Sequence, residues 1–514
     1  MSFLEEYIFW WLANYFISKK DYRIVKLSEQ QNELWLEKVE NKEAQVIRLL
    51  KTSLSWSNWM QNDIEYVAAN GENIRKSLVR GEMNVINIYI TDYPPVDDYE
   101  FRIEQPFVYP GSNDKTKVTS IVFSRDSKQE AFEKLSTIVD DRVSVPEQEE
   151  YEEREVQELK LLALSHASQK SREEKKLFDF GKPFFTYIFI AVQVLAFLFL
   201  EWKGGSTNTS NLIKYGAKFN PLILEGEWWR FFTPIILHIG FLHLLMNTLA
   251  LYYLGIAVEK IFGNVRFLFI YLLAGFGGSL ASFIFSPNLS AGASGAIFGC
   301  FGALLYFGVI YPNLFFRTMG VNILIVLGIN LVFGFSMPGI DNAGHIGGLV
   351  GGFLATGIVH FPKKKKPMLQ MIFLVITAAA IFGMLKYGYS QPGKLLNTES
   401  AIVMAQDYIN QEEYEKVEIL LKDFMKEKEP TAEVYFLLSY AEIKTGDLTK
   451  AKEHLHTAIQ MRNDFHEAYY NLALIYIDEG NSKDALENAE KAAEIMPKQK
   501  EYQQLIDKIN NAGF

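Results

Sequence analysis

The sequence predicts a multi-domain chain: a polytopic α-helical membrane region between an N-terminal soluble α+β domain and C-terminal all-α repeats. Three observations predict it. Seven apolar segments fill the middle of the chain, each approaching the roughly 20 residues that a helix needs to cross hydrocarbon. Short β-type runs mixed with helical stretches precede them. Small residues at a spacing of 34 follow them.

The chain has 514 residues and is 49% hydrophobic, yet its mean hydropathy is near zero because both ends are charged. Its net charge of −10 disfavours nucleic acid, since phosphate binding wants a basic face. The single cysteine, Cys300, excludes an intrachain disulfide. The opening MSFLEEYIFWWLANYFI carries Glu5 and Glu6 and lacks a basic start. It reads as an amphipathic helix on a soluble domain rather than a signal peptide or a span.

Residues 1–145 are expected to form the α+β domain, with strands in YRIVKL, ELWLEKV, VINIYI and KVTSIVF and a helix in IEYVAANGENIRKSLV. Asp97, Asp98 and Glu100 form an acidic group there that could hold a divalent cation, although such surface loops are usually just solvated. Residues 146–180 are charged and helical in pattern, a linker with a solvated surface.

The membrane region is expected over residues 181–387. Its segments lie near Pro183–Leu200, Phe231–Leu254, Val265–Phe285, Gly295–Tyr311, Gly320–Met337, Gly344–Phe361 and Met368–Leu385. With a cytoplasmic N-terminus the inner flanks hold Lys170, Arg172, Lys175, Lys176, Lys182, Lys260, Arg266, Arg317 and Lys363 to Lys366. The outer loops between segments three and four, and five and six, hold no Lys or Arg. The first outer loop departs from the trend with Lys203, Lys214, Lys218 and Arg230. The bias places the N-terminus inside and the C-terminus outside.

Residues 399–514 carry the repeat. Gly446 and Gly480, Ala451 and Ala485, and Ala458 and Ala492 are each 34 apart, and Pro497 closes the last copy. A weaker copy near Asn410 to Phe424 has Val417 in an alanine position. This is the spacing of tetratricopeptide helix pairs, which stack and bind protein partners.

Polar groups inside the apolar segments point to chemistry, because ionisable side chains are costly in lipid and face a wet cavity or a partner. Segment two holds His238, His243 and Asn247; segment four opens with Gly292-Ala293-Ser294-Gly295; segment six opens near His345. These three segments run in the same direction, so Ser294 and His345 fall at their outer ends at comparable depth. Segment four, about 17 residues and roughly 25 Å long, is shorter than the ~30 Å hydrocarbon core, so its N-terminus should start below the surface. Gly295 and Gly299, and Gly348 and Gly352, are four apart, the spacing that lets helices approach closely. Close approach would bring Ser294 within reach of His345 as a nucleophile and its general base. Free N–H groups after Ser294, with Asn247 and His243, would then stabilise an oxyanion. Each group alone has a plainer reading: a packing serine, a helix-capping histidine. His238 fits a water-organising role or simple interfacial placement equally.

This combination resembles the rhomboid family of intramembrane serine proteases: a GxSG nucleophile, a His followed by small residues, and a HxxxN pair on an earlier helix. Trp229-Arg230 is similar to that family's Trp-Arg motif in the first outer loop. The flanking domains and the seventh helix make the chain similar to the large GluP-type rhomboids of Gram-positive bacilli. The resemblance implies a six-helix core plus a seventh helix in a bacterial cell membrane. It also implies a Ser–His dyad with no third carboxylate, and no metal or cofactor. Substrates would be membrane proteins, cut within or beside a transmembrane helix at its outer end. Some members carry Tyr where this chain has Phe298, which can stack on the histidine but donates no hydrogen bond. A non-proteolytic scaffold of similar fold is the rival, but it would lack Ser294 or His345. A transporter is the other, but its polar layer would lie at the midplane.

Overall fold

The computed structural model describes residues 3–77, 81–113, 115–145, 151–337 and 339–512. The chain divides into two compact units, Met1–Asp179 with Gly308–Val321, and Phe180–Phe307 with Asn322–Phe514.

The first unit contains α1 (Leu4–Asn14), β1 (Arg23–Leu27), β2 (Glu33–Glu37), β3 (Val46–Lys51), α2 (Ser57–Ser77), β4 (Met83–Ile90), β5 (Phe107–Val108), β6 (Thr116–Phe123), α3 (Lys128–Val139) and α4 (Glu153–Phe178). The six strands form one sheet in the order β1-β2-β3-β4-β6-β5. β1 to β3 are antiparallel, whereas β3, β4 and β6 run parallel. The strands at the middle of the sheet are near-continuous apolar runs because both their faces are covered. That continuity hid β3, which the sequence reading passed over: VIRLLK has no period-two alternation. Of its two charged residues, Arg48 is buried and paired with Glu33 and Asp63 at 2.7 and 2.6 Å. α1 is more deeply buried than an amphipathic helix: Phe9, Trp10, Leu12 and Ala13 lie in the core. Residues 146–150 of the expected linker lie outside the described residues. The rest is α4, which is solvated only in part, because Val156 and Ala163 pack into the same core as α1. Asp97 accepts from the backbone N–H and hydroxyl of Ser57 at the start of α2.

The apolar region holds α5 (Phe185–Trp202), the short α6 (Thr209–Lys214) and α7 (Asn220–Leu224), α8 (Phe241–Phe262), α9 (Asn264–Phe285), α10 (Ser294–Ile310), α11 (Pro312–Thr318), α12 (Gly320–Ser336), α13 (Asn342–Val359) and α14 (Pro367–Ser390). Five of these are long and apolar enough to cross a membrane, namely α5, α8, α9, α13 and α14. α11 and α12 form a pair bent by 74°, and α10 is a shorter apolar helix of 17 residues. Segment two starts ten residues later than expected. Pro234 sits in a 3-10 turn and Gly240 has φ +78°, so the chain cannot enter a helix until Phe241. His238 therefore precedes the helix rather than lying on it.

The C-terminal repeats are helical pairs: α15 (Thr398–Asn410), α16 (Tyr414–Glu427), α17 (Ala432–Thr445), α18 (Leu448–Met461), α19 (His466–Asp478) and α20 (Ser482–Ile495), then α21 (Lys500–Ala512). The 34-residue spacing has a direct cause. Gly446 and Gly480 end helices at φ +92° and +74°, which only glycine adopts freely. Ala451, Ala458, Ala485 and Ala492 are fully buried where the helices of a pair meet, as is Val417 in the first copy.

Candidate active site

Ser294 is the first residue of α10, and the chain reaches it through a pinned approach. Lys218 and Ser290 exchange backbone hydrogen bonds of 2.8 and 3.0 Å. The Gly292 N–H donates to the Pro234 carbonyl at 3.0 Å, and the Ala293 N–H to Nε2 of His238 at 3.4 Å. Gly292 has φ +151°, and a Cβ added there would lie 2.7 Å from His243 Cε1 and 3.8 Å from Ser294 Oγ. The His243 ring thus lies over the turn that presents Ser294. The rings of His238 and His243 are 5.4 Å apart. His238 is fully buried.

His345 lies one turn into α13, whose N-cap is Asp341: its carboxylate accepts from the Gly344 N–H at 2.9 Å. The His345 ring stacks on Phe298 of α10, with centroids 4.2 Å apart and planes 8° from parallel. Stacking, without a hydrogen bond, is what phenylalanine at this position allows. Asn247 is buried one turn after His243 on α8, and its Nδ2 donates to the His243 carbonyl at 2.9 Å. One of its two amide hydrogens is therefore committed to its own helix.

The helices carrying Ser294 and His345 meet backbone to backbone. A Cβ on Gly348 would come within 1.9 Å of the Gly295 carbonyl oxygen, and one on Gly352 within 2.1 Å of the Gly299 oxygen. α9 completes the seam, since a Cβ on Gly278 would lie 2.8 Å from the Gly344 oxygen and one on Gly347 2.6 Å from the Gly277 oxygen. The sequence reading missed this third partner, although AGFGGSLAS in segment three carries the signal.

Two further buried charges had no structural role in the sequence reading, which named Lys218 only as an outer-loop charge. Glu259 of α8 is fully buried and accepts from the backbone N–H groups of Phe184, Phe185 and Thr186 and from the Thr186 hydroxyl. It caps α5, and as a lone carboxylate in an apolar segment it was detectable. Lys218 is fully buried; its Nζ donates to the carbonyls of Ser286 and Asn288, 2.5 and 3.0 Å away. Burial pushes its pKa down to about 7, and nearby Asp341 opposes that shift. Arg230 is buried in the first outer loop, donating to the carbonyls of Ile213 and Ala217 at 2.8 and 2.9 Å. Its neighbour Trp229 is exposed and packs edge-on against Trp228.

The rhomboid domain family profile matches residues 225–363, and a tetratricopeptide repeat profile matches residues 442–509. Among characterised proteins, the chain is 39% identical over 511 residues to the rhomboid protease GluP of Bacillus subtilis, covering 99% of each. It is 32% identical to the putative rhomboid protease YdcA of the same organism, over 36% of this chain and 92% of that one. RHOMBOID-like protein 1 of Arabidopsis thaliana is 44% identical over 28% of this chain and 38% of its own.

Proposed function

The chain belongs to the rhomboid family, as a multi-pass membrane serine endopeptidase with tetratricopeptide repeats, and we propose that Ser294 and His345 form its catalytic dyad. His345 takes the proton from Ser294 Oγ as the oxygen attacks a peptide carbonyl, then returns it to the leaving amine. Water hydrolyses the acyl-enzyme by the reverse use of the same two groups. No carboxylate contributes: Asp341 is engaged in capping α13. The oxyanion meets the free N–H groups at the start of α10, His243, and the uncommitted amide hydrogen of Asn247.

The observation that carries this reading is the glycine seam. It brings the two helix starts that hold Ser294 and His345 into backbone contact, while Phe298 fixes the imidazole plane. His238, by its bond to the Ala293 N–H, steadies the turn before Ser294. A fluorophosphonate probe tests the dyad. It should label wild type at Ser294, and labelling should be lost in both Ser294→Ala and His345→Ala. Equal labelling of either variant would refute the assignment.

The substrates in this reading are membrane proteins, cut within or next to a transmembrane helix near its outer end. Seven spans, with α10 short and α11–α12 as one bent span, put the N-terminal domain (residues 1–145), with its linker (146–180), in the cytoplasm and the repeats (399–514) outside. Two contacts support that topology. Arg317 of α11 pairs with Glu174 of α4 at 2.7 Å, on the inner side. Asn397, at the start of the repeats, donates to Asn288 in the loop before Ser294, on the outer side.

A further inference from the structure

The first repeat helix forms one wall of a cavity of about 340 Å³ whose other walls are loops leading to the dyad. Ser286, Asn288 and Leu289 line it from the loop before Ser294; Gly339, Ile340 and Asp341 line it from the loop before His345. Thr209, Ile213 and Phe219 of the first outer loop add a third side. The fourth is built by Asn397, Glu399, Ser400 and Val403 at the start of α15. Leu289 is five residues from Ser294, and Asp341 is one helical turn from His345. Residues close in sequence to both Ser294 and His345 thus line the same cavity.

The wall is fastened rather than incidental. The buried Asn220 Nδ2 donates to the carbonyls of Phe283 at 3.1 Å and Leu395 at 2.7 Å, joining the first outer loop, the end of α9 and the entry to the repeats. Asn397 caps α15 by accepting from the Ser400 N–H and also donates to Asn288. Glu399 and Val403 remain exposed on the cavity side. The charge is one-sided: Asp341 and Glu399 line the cavity and none of the described lining residues is Lys, Arg or His. Lys218, the buried ammonium near Asp341, is engaged by two carbonyls.

We infer that this cavity is a substrate subsite, in which the repeats help to hold the outer, non-membrane stretch of the cleaved protein through a basic side chain. The inference rests on the protease reading above. A segment held there is tethered to a helix already in the active site, so its binding raises the local concentration of the scissile bond. It acts equally on ground and transition states, and therefore lowers KM without changing kcat.

Three reporter substrates test it in liposomes with the full chain: one transmembrane helix bearing an outer extension with Lys, the same with Glu, and the helix without extension. Val403→Trp fills the cavity from an exposed position, and should raise KM for the Lys substrate roughly tenfold with kcat unchanged. The substrate without extension should be cut as by wild type. Glu399→Lys should reverse the preference between the Lys and Glu extensions. Unchanged KM values in both variants, with cleavage intact, overturn the subsite and leave the protease standing. So does an equal loss on the substrate without extension, which marks a structural role. Failure of wild type to cut any of the three removes the protease reading and the subsite together.

Discussion

Gly348 lies directly against Gly295, so closely that a Cβ on Gly348 would stand 1.9 Å from the Gly295 carbonyl oxygen. The backbone there belongs to the helix whose first residue is Ser294, and neither helix can yield without moving Ser294 or His345. Gly348→Ala should therefore lower stability by about 3 kcal/mol and also cut activity. Gly328→Ala, where a Cβ meets nothing within 4 Å, should be neutral. Thermal unfolding in detergent compares the two; an unaffected Gly348→Ala would mean the helices separate freely.

Ser294→Ala and His345→Ala should each reduce cleavage of a transmembrane reporter by roughly 10³ or more, with folding and insertion preserved. Near-normal turnover by either purified variant would remove the dyad.

Asn247→Ala should lower kcat by roughly 10²–10³ and leave KM nearly unchanged, because an amide aimed at a developing oxyanion acts only in the transition state. His243→Ala should behave similarly. Since Nδ2 also donates to the His243 carbonyl, a change in KM alone would assign Asn247 to helix packing.

Glu259→Gln should destabilise the protein by about 1–3 kcal/mol, since the amide keeps one acceptor oxygen and turns an NH2 toward the N–H donors at the start of α5. Denaturation in mixed detergent micelles measures this. Wild-type stability would mean that the α5 start is satisfied another way.

Protease added to intact protoplasts should remove the repeats after Thr398 and spare residues 1–180, from the Lys363–Lys366 run and the charge-free outer loops. The opposite pattern would invert the topology.

How much was legible follows from what each signal encodes. Short β-type runs and the 34-residue pattern are local, so β1, β2, β4, β6 and the paired repeat helices were readable. β3 was not, because Arg48 and Lys51 interrupt its apolar run, and Arg48 is neutralised only by residues distant in sequence. The start of α8 was misplaced because apolar residues run through the turns at Pro234 and Gly240, and hydropathy does not register a change of backbone direction.

By itself, then, the sequence carried the motifs by which it resembles its family, and it determined the membrane character and the residue types at the candidate site, which rest on composition and short spacings. Only the tertiary structure decided that α9 joins the glycine seam, that Phe298 lies flat on His345, and that the first repeat helix walls a cavity with the loops before Ser294 and His345. Those facts depend on contacts between segments far apart along the chain. A local pattern such as AGFGGSLAS marks a face for close approach but not its partner, which is set by how packed helices exclude one another's volume.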